Sequence, residues 1–282
     1  ERRALLVPGC HDALSARVIE RCGFEAVQVS GAGLAGSFLG SPDVGLVHMK
    51  DILDITANIA NAVRVPVMAD IDTGGGNAVN AASVTQRLIT FGVAGMNIED
   101  QVFPKRCGHL AAKRVVPALL MAAKVRAARR ARRDRDFLIV ARTDAESATL
   151  VMSDVDPLDA PFIDRATRTP EGFYKTRPGV EQSISRGLAY APYADMVWCE
   201  TGKPDLGFAK LFQHAQRTAS TAPQAPTPSS QAAAAPGTAP AAGRRHRARR
   251  PAGVLPRPRR DGRARGKARF PASWKACIMS KS

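Results

Sequence analysis

The chain has 282 residues, enough for one large domain or two small ones. Its apolar content of 45% is ordinary for a globular protein, and no stretch approaches the roughly 20 consecutive apolar residues of a transmembrane helix, which excludes an integral membrane protein. The formal net charge is +16, and it is spread unevenly along the chain.

Residues 1–218 alternate short apolar runs, typical of strands, with amphipathic helical stretches. The predicted strands are Ala4–Gly9, Ala26–Gly31, Pro66–Asp72, Gly95–Asp100, Phe137–Asp144 and Met196–Glu200. The predicted helices are Asp12–Cys22, Lys50–Val63, Ala78–Phe91, Pro117–Arg132, Glu181–Ala189 and Pro204–Gln216. This alternation predicts an α/β fold with a parallel sheet covered by helices. Only about six βα units are visible, so we expect a (β/α)8-type barrel that is incomplete.

The last segment, residues 219–282, differs in composition from residues 1–218. It has 14 Lys and Arg residues against one acid, Asp261, and nine of the 20 prolines. Such a composition predicts a disordered basic tail. Two interpretations stay open: a passive tail, including an out-of-frame reading of GC-rich DNA, and a basic arm that binds nucleic acid or another anionic surface. Because aromatic side chains for base stacking are scarce, we do not expect a nucleic-acid partner.

The first residues of the chain and the number and spacing of its cysteines indicate the cellular compartment. The chain opens with Glu-Arg-Arg and a short apolar run, which does not resemble a signal peptide, and without an initiator Met we expect residues upstream. The five cysteines form no CxxC pair, which argues against a disulfide framework or a structural zinc site and favours the cytoplasm. We interpret Cys10, Cys22 and Cys199 as small core residues.

Polar residues collect at the C-terminal ends of the predicted strands: Ser30, Asp70, Asp72, Glu99, Asp100, Arg142, Asp144 and Glu200. In a βα barrel the loops after these ends converge on the mouth, where the chemistry takes place. A single acid there can be the cap of the next helix. Five strands that each supply such a group favour a shared site.

Four of the acids are suited to a metal ion. Asp70 and Asp72 point to the same side of a strand, and their charges repel unless a cation lies beside them. Glu99, from the neighbouring strand, and Asp43, in the loop after the second strand, add oxygen ligands. Oxygen ligands without His or Cys favour Mg²⁺, with Mn²⁺ as the alternative. Arg142 suits bidentate contact with a carboxylate or phosphate, so we expect a small anionic substrate.

A basic loop carries a cysteine, in the order Lys105, Arg106, Cys107, Gly108 and His109. The positive charges around the thiol favour the thiolate, which can exchange a proton or attack as a nucleophile. Gly108 lets the backbone approach a ligand closely. The alternative is a solvated basic loop with an incidental cysteine.

Two glycine-rich segments follow the second and third strands, Ser30–Gly33 and Thr73–Asn77. Backbone N–H groups in such turns, near helix N-termini, bind anionic oxygens. Beside a metal site, we interpret these segments as a cradle for a carboxylate.

These motifs resemble the isocitrate lyase/phosphoenolpyruvate mutase superfamily: SGAG at 30–33, PD at 42–43, DIDTGGGN at 70–77, NIEDQVFPKRCGHL at 97–110 and ARTDA at 141–145. The resemblance covers roughly residues 5–216, and KRCGH is typical of the carbon–carbon lyase branch. Residues 1–117 resemble methylisocitrate lyase, oxaloacetate hydrolase and dimethylmalate lyase, whereas residues 144–206 are similar to isocitrate lyase. Many relatives have Tyr at the position of Gln28, a change expected to affect substrate choice.

The resemblance implies Mg²⁺-dependent cleavage of isocitrate or 2-methylisocitrate to succinate and glyoxylate or pyruvate. Metal binding would involve Asp72 as the direct ligand, with Asp43, Asp70 and Glu99 holding metal-bound waters. Substrate binding would involve Ser30, Gly31, Ala32, Gly108 and Arg142. Catalysis would involve Cys107 as the proton donor to the carbanion, with Lys105, Arg106, His109 and Glu200 around it.

Several alternatives stay open at this stage. The activity could be that of a dimethylmalate lyase or an oxaloacetate hydrolase, or the chain could be an inactive truncated remnant. The resemblance also implies a homo-oligomer, a tetramer in the family, located in the cytoplasm.

Overall fold

The fold is that of a computed structural model, which describes residues 5–221 and 278–279. The helices are α1 Ala13–Arg21, α2 Gly31–Leu39, α3 Met49–Ala62, α4 Ala78–Phe91, α5 Ala118–Ala131, α6 Val180–Tyr190 and α7 Leu206–Thr221. The strands are β1 Gly9–Cys10, β2 Val27–Val29, β3 Val67–Asp70, β4 Gly95–Glu99, β5 Lys113–Val115, β6 Leu138–Thr143, β7 Ala148–Val151, β8 Ile163–Arg168, β9 Tyr174–Thr176, β10 Met196–Cys199 and β11 Ile278–Met279.

Seven strands form one sheet in the order β1-β2-β3-β4-β6-β10-β11, and all neighbours in it are parallel. Helices connect successive strands, so the predicted α/β fold with a parallel, barrel-type sheet is confirmed. A second sheet, β5-β7-β9-β8, combines one parallel pair with two antiparallel pairs.

Side chains alternate between the two faces of the main sheet, and this alternation positions the site. On β4 and β6, Met96, Ile98 and Ile139 pack against the helices in the largest apolar cluster. The intervening residues face the other side, where Leu138 and Val140 belong to a smaller inner cluster. The inner face becomes polar toward the C-terminal ends of the strands.

Local sequence explains where the helices begin and end. Asp12 caps α1 and Asn77 caps α4, each with the reciprocal side-chain and backbone bonds of a capping box. Ser30 caps α2 by accepting from the Gly33 N–H at 3.1 Å. Gly92 ends α4 with φ of +82°, a left-handed conformation that costs glycine little.

Several expectations about the elements are wrong. The first strand, predicted at Ala4–Gly9, is Gly9–Cys10, because Pro8 has no N–H to donate to a sheet. Helix α2 and the second sheet were not foreseen, since α2 is rich in small residues and β8 is exposed along most of its length. Cys22 is exposed rather than buried, because it caps the C-terminal end of α1.

Most of the predicted tail lies outside the described residues. Helix α7 continues to Thr221, and β11 pairs with β10 through Trp198↔Ile278 and Cys199↔Met279, a pairing that the composition did not predict. The disorder expected for residues 219–282 and the boundary at residue 218 stay predictions.

Candidate active site

Four strands of the main sheet carry polar side chains to the same edge. Asp70 ends β3, Glu99 ends β4, Arg142 lies near the end of β6, and Glu200 follows β10. Glu99 and Arg142 are direct partners in the strand register. The sheet therefore brings together side chains that the sequence places up to a hundred or more residues apart.

The cation among the acids is the side chain of Lys105. Its Nζ lies 2.6 Å from Asp43 Oδ2 and 2.7 Å from Asp72 Oδ1, and it is almost fully buried. Asp72 adopts a positive φ of 49°, and its N–H donates to Asp70 Oδ1 at 3.0 Å. We call Asp43, Asp70, Asp72 and Glu99 the acid cluster.

Burial changes the protonation of these groups. Burial raises the pKa of Asp72 to about 6, although Lys105 opposes the change. Burial also raises the pKa of Glu99 well above its ordinary value, against the effect of Arg142. Burial alone would lower the pKa of Lys105, but Glu99, Asp72 and neighbouring carboxylates raise it, so the ammonium stays charged.

The acid cluster fits a hydrated divalent cation. Both carboxylate oxygens of Glu99 are buried without a hydrogen-bond partner among the described residues, and Asp72 Oδ1 contacts the ammonium of Lys105. Within residues 5–221 and 278–279, no group of three or more His, Cys, Asp or Glu side chains could hold an ion by itself. Few direct protein ligands and several retained waters are usual for Mg²⁺, so the donors fit this ion.

The N-terminus of α2 lies against the acid cluster. A Cβ atom added to Gly31 would lie 3.3 Å from both Asp70 Oδ2 and Asp72 Oδ1, and 3.5 Å from Lys105 Nζ, so a small residue is needed here. The segment interpreted as a glycine-rich turn is therefore the first turn of a helix, and Ala32 is exposed in it. The N–H groups at the N-terminus of a helix favour an anion.

The second glycine-rich segment forms the turn from β3 to α4. Gly74, Gly75 and Gly76 all have positive φ, and Asn77 caps the helix. Its predicted contact with a carboxylate remains a prediction.

Arg142 is surrounded by carboxylates. Its Nε and Nη2 donate to the two oxygens of Asp144, each at 3.0 Å. Glu99 Oε2 lies 3.4 Å from Nη2 and Glu200 Oε2 lies 3.7 Å from Nη1, while the ring of Trp198 packs 5.1 Å from the guanidinium carbon. Asp144 thus orients Arg142, and Nη1 is the guanidinium nitrogen with the longest contact to a carboxylate.

The basic segment Lys105–His109, which we call the Cys107 loop, is attached to the acid cluster. The Cys107 N–H donates to the carbonyl oxygen of Asp43 at 2.9 Å, and the thiol is half-buried. Together with the Lys105 ion pairs, this bond places Cys107 beside the cluster rather than at the opposite end of the molecule.

The other members of the Cys107 loop differ in their surroundings. A Cβ atom on Gly108 would overlap Glu200, so this glycine brings the loop into contact with that carboxylate. Burial raises the pKa of Glu200, and Arg142 and the exposed His109 oppose this change. Arg106 is exposed, and its Nη1 donates to the carbonyl oxygen of Ala111 at 3.1 Å, so it contacts its own loop.

Three polar side chains of the inner face form a chain that sequence reasoning missed. Gln28 Nε2 donates to Asn97 Oδ1 at 2.7 Å, and Asn97 Nδ2 donates to Asp70 Oδ1 at 2.9 Å. The period of two on β4, which places Asn97 on the same face as Glu99, was the available signal.

Two further interactions support the site from behind. The fully buried Lys113 donates to Asp144 Oδ1 at 2.9 Å. Asp100 turns away from the acid cluster and accepts from Thr143, Arg186 and Tyr190. Asp100 and Asp144 therefore hold other side chains, although both follow strand ends.

A separate surface groove of about 490 Å³ lies between α4 and α5, with Arg87 and Arg133 among its lining residues. None of its lining residues belongs to the acid cluster. Among the described residues, no helix is both long and apolar enough to cross a membrane.

Comparisons with known proteins identify relatives of this chain. The sequence profile of the phosphoenolpyruvate phosphomutase family matches residues 1–238. Isocitrate lyase of Escherichia coli (strain K12) is 39% identical over 226 residues, covering 69% of this chain and 51% of that protein. Isocitrate lyase 1 of Mycobacterium tuberculosis is 39% identical over 220 residues, with the same coverage of 69% and 51%. The chain thus spans about half the length of these relatives.

Solved structures give the same grouping. Oxaloacetate acetylhydrolase with the inhibitor 3,3-difluorooxalacetate superposes with a TM-score of 0.61 and 31% identity, over 76% of this chain and 64% of that one. The structure of 2,3-dimethylmalate lyase superposes with a TM-score of 0.60 and 31% identity, over 76% of this chain and 62% of that one. Phosphonopyruvate hydrolase in complex with oxalate and Mg²⁺ superposes with a TM-score of 0.58 and 28% identity, over 75% of this chain and 63% of that one. By its sequence profile, its fold and its motifs, the chain belongs to the phosphoenolpyruvate mutase/isocitrate lyase superfamily.

Proposed function

We propose that the protein is a Mg²⁺-dependent carbon–carbon lyase that cleaves isocitrate or 2-methylisocitrate to succinate and glyoxylate or pyruvate. The observation that carries this proposal is the attachment of the Cys107 loop to the acid cluster. Lys105 joins Asp43 and Asp72, and the Cys107 N–H bonds to Asp43, so a proton donor lies beside candidate metal ligands.

The acid cluster would hold the ion, with Asp72 as the direct ligand and Asp43, Asp70 and Glu99 binding its waters. A bound Mg²⁺ supplies a Lewis acid for the hydroxyl and carboxylate oxygens of the substrate. A divalent cation also neutralises carboxylates whose pKa values are raised by burial. A phosphonopyruvate hydrolase of this superfamily has been solved with Mg²⁺, which supports the choice of metal.

The substrate carboxylate of the oxo-acid half would lie at the N-terminus of α2, near Ser30, Gly31 and Ala32. The N–H groups at this helix terminus carry partial positive charge and attract an anion. Arg142 Nη1, held in place by the bonds of the same guanidinium to Asp144, would contact the substrate from the other side. Positioning of this kind lowers the entropic cost of the reaction.

In the proposed step, the bond between the hydroxyl-bearing carbon and its neighbour breaks. The hydroxyl proton passes to a carboxylate of the acid cluster, and the carbon that carried the hydroxyl becomes the carbonyl carbon of glyoxylate or pyruvate. The electron pair remains on the neighbouring carbon as an aci-carboxylate, which takes a proton from Cys107 Sγ to give succinate. Glu200, in contact with Gly108, is placed to return a proton to the thiolate.

A second candidate uses the same site on a different substrate. Oxaloacetate acetylhydrolase and 2,3-dimethylmalate lyase are the neighbours with TM-scores of 0.61 and 0.60, which favours testing oxaloacetate and 2,3-dimethylmalate. The homo-oligomer and the cytoplasmic location expected from the sequence stay predictions.

The test is a substrate panel with the full chain. Release of glyoxylate, pyruvate or oxalate is measured with isocitrate, 2-methylisocitrate, 2,3-dimethylmalate and oxaloacetate, with MgCl₂, with MnCl₂ and with EDTA. We expect release from isocitrate or 2-methylisocitrate that EDTA abolishes. No release from any of these substrates would refute both the proposed lyase activity and the second candidate.

The role of the thiol is tested by matched variants. Cys107→Ala should lower the rate of release by about a hundredfold or more, the effect of losing a general acid. Cys22→Ala, at the exposed end of α1, is the control and should keep the wild-type rate. Equal rates for the two variants would remove Cys107 from the mechanism.

A further inference from the structure

The Cys107 loop is held by a side chain that the proposed chemistry does not use. Gln101 Nε2 donates to the carbonyl oxygen of Arg106 at 2.7 Å, and Gln101 Oε1 accepts from the Arg106 N–H at 3.0 Å. The side-chain amide thus pairs with both backbone polar groups of the residue before Cys107, as a neighbouring strand would. Gln101 is only 1% exposed, so water does not compete for these bonds.

Gln101 is itself anchored by its backbone. It forms an antiparallel bridge with Val115, and the N–H of the next residue, Val102, donates to the carbonyl oxygen of Arg114 at 2.8 Å. Both bonds connect this segment to β5, and the chain itself connects Gln101 to the end of β4 two residues earlier. The two-point contact with Arg106 therefore joins the Cys107 loop to the sheet framework.

The remaining anchors of the Cys107 loop involve the acid cluster. Lys105 bonds to the carboxylates of Asp43 and Asp72, and the Cys107 N–H bonds to the carbonyl oxygen of Asp43. If these carboxylates bind a hydrated cation, the Lys105 ion pairs must rearrange, because ammonium and cation compete for the same oxygens. The Gln101 contact involves neither Asp43 nor Asp72, so it can persist when the cluster binds an ion.

We propose that Gln101 is a positioning residue, which fixes the backbone before Cys107 and thereby keeps the thiol directed at the substrate when the acid cluster is occupied. The catalytic part of this inference rests on the proposed lyase function. The part that concerns the loop is independent of it, because thiol accessibility can be measured without turnover.

The variant Gln101→Met keeps the volume of the side chain and removes both bonds to Arg106. The rate at which iodoacetamide alkylates Cys107 is measured in the full chain by peptide mass spectrometry, with the exposed Cys22 as the internal reference. The control is Gln182→Met. Gln182 is a buried glutamine on α6, and its Nε2 donates to Thr176 Oγ1 at 2.9 Å.

For Gln101→Met we expect alkylation of Cys107, relative to Cys22, to be about threefold faster or more, because the loop loses its anchor. Gln182→Met should leave the ratio unchanged. An unchanged or slower ratio in Gln101→Met would overturn the proposal. If this variant does not fold, Gln101→Glu is used in its place. Glutamate has a carboxylate oxygen where glutamine has Nε2, so the bond to the Arg106 carbonyl oxygen is lost. The same criterion applies to this variant.

Steady-state kinetics separate this inference from the proposed function. In an active chain, Gln101→Met should lower kcat by about tenfold and change KM by less than about threefold, since substrate contacts are kept while the thiol is misplaced. A change confined to KM would overturn the positioning role. Wild-type inactivity on every substrate would refute the proposed lyase, and the alkylation ratio would still decide the role of Gln101 in the loop.

Discussion

Lys105 Nζ lies 2.7 Å from Asp72 Oδ1, so a residue two positions before Cys107 is the counter-ion of the acid cluster. The same ammonium lies 2.6 Å from Asp43 Oδ2. One side chain therefore neutralises the carboxylates proposed to bind the ion and attaches the loop that carries the proposed proton donor. Four predictions follow from this arrangement and from the groups that support it.

Replacement of Lys105 by Met should destabilise the protein in the absence of divalent ions. The variant leaves the buried carboxylates of Asp43 and Asp72 without their ammonium, which costs about 3 kcal/mol or more in the free energy of unfolding. Added MgCl₂ should restore stability more than in wild type, because the ion replaces the lost charge.

Urea unfolding with and without MgCl₂ measures both effects of Lys105→Met. The control is Lys50→Met, which removes the exposed ion pair with Asp54 and should change stability by less than about 1 kcal/mol. Equal unfolding free energies for the two variants would contradict the role of Lys105 as counter-ion.

The hydrogen bonds from Gln28 through Asn97 to Asp70 should matter for metal affinity. Gln28→Leu leaves Asn97 Oδ1 without its donor, so Asn97 no longer orients Asp70, and we expect the Kd for Mg²⁺ to rise about tenfold. Isothermal titration calorimetry measures this directly. Gln86→Leu, on the exposed face of α4, is the control, and a Kd shift as large in the control would argue against the hydrogen-bonded chain.

Stability at acid pH should depend on Asp144. Burial by itself would raise the pKa of Asp144. Arg142 and Lys113 outweigh this effect and lower the pKa from 3.8 to about 2. A group whose pKa falls on folding stabilises the native state above its unfolded pKa and loses that effect as the pH falls through its folded pKa. Asp144 therefore contributes about 2 kcal/mol above a pH of about 4, which is lost toward a pH of about 2.

The measurement for Asp144 is the free energy of unfolding as a function of pH. Asp144→Asn should be less stable throughout, and its stability should fall less steeply between pH values of about 4 and about 2. Asp54→Asn, at an exposed ion pair, should retain the wild-type slope. A slope in Asp144→Asn as steep as in wild type would assign the acid transition to other carboxylates.

A side chain at position 108 should destabilise the protein. A Cβ atom would overlap Glu200, so Gly108→Ala must displace either the Cys107 loop or that carboxylate, at about 1–3 kcal/mol in the free energy of unfolding. Gly36→Ala, within α2 and with open space around it, should be neutral or slightly stabilising. Shortening the neighbour in Gly108→Ala/Glu200→Asp should recover part of the loss, and failure to recover any would place the strain elsewhere.

The alternation of strands and helices was predictable because it depends on local periodicity. Five of the six predicted strands of the main sheet overlap the observed ones closely, and α4 has the predicted bounds, Ala78–Phe91. Helix α2 was missed because its many glycine and alanine residues give little amphipathic pattern, while its cap, Ser30, forms a bond that only the folded backbone shows.

The candidate site was predictable in its members and not in its connections. Strand periodicity places Asp70 and Glu99 on the inner face, and the same periodicity turns Asp100 toward α6, where it accepts from Arg186 and Tyr190. Gln101 carried no signal, because its partner, the backbone of Arg106, could be identified only from the path of the loop.

Residue order alone thus determined the class of fold, the superfamily and the presence of an acid cluster with a cysteine nearby, since these depend on spacing along the chain. Tertiary structure decided that Lys105 is the cation beside Asp72 and that Asp144 holds Arg142. The physical reason is that Coulomb and hydrogen-bond energies depend on distances of a few ångströms between atoms, and such distances between remote residues are set only when the chain has folded.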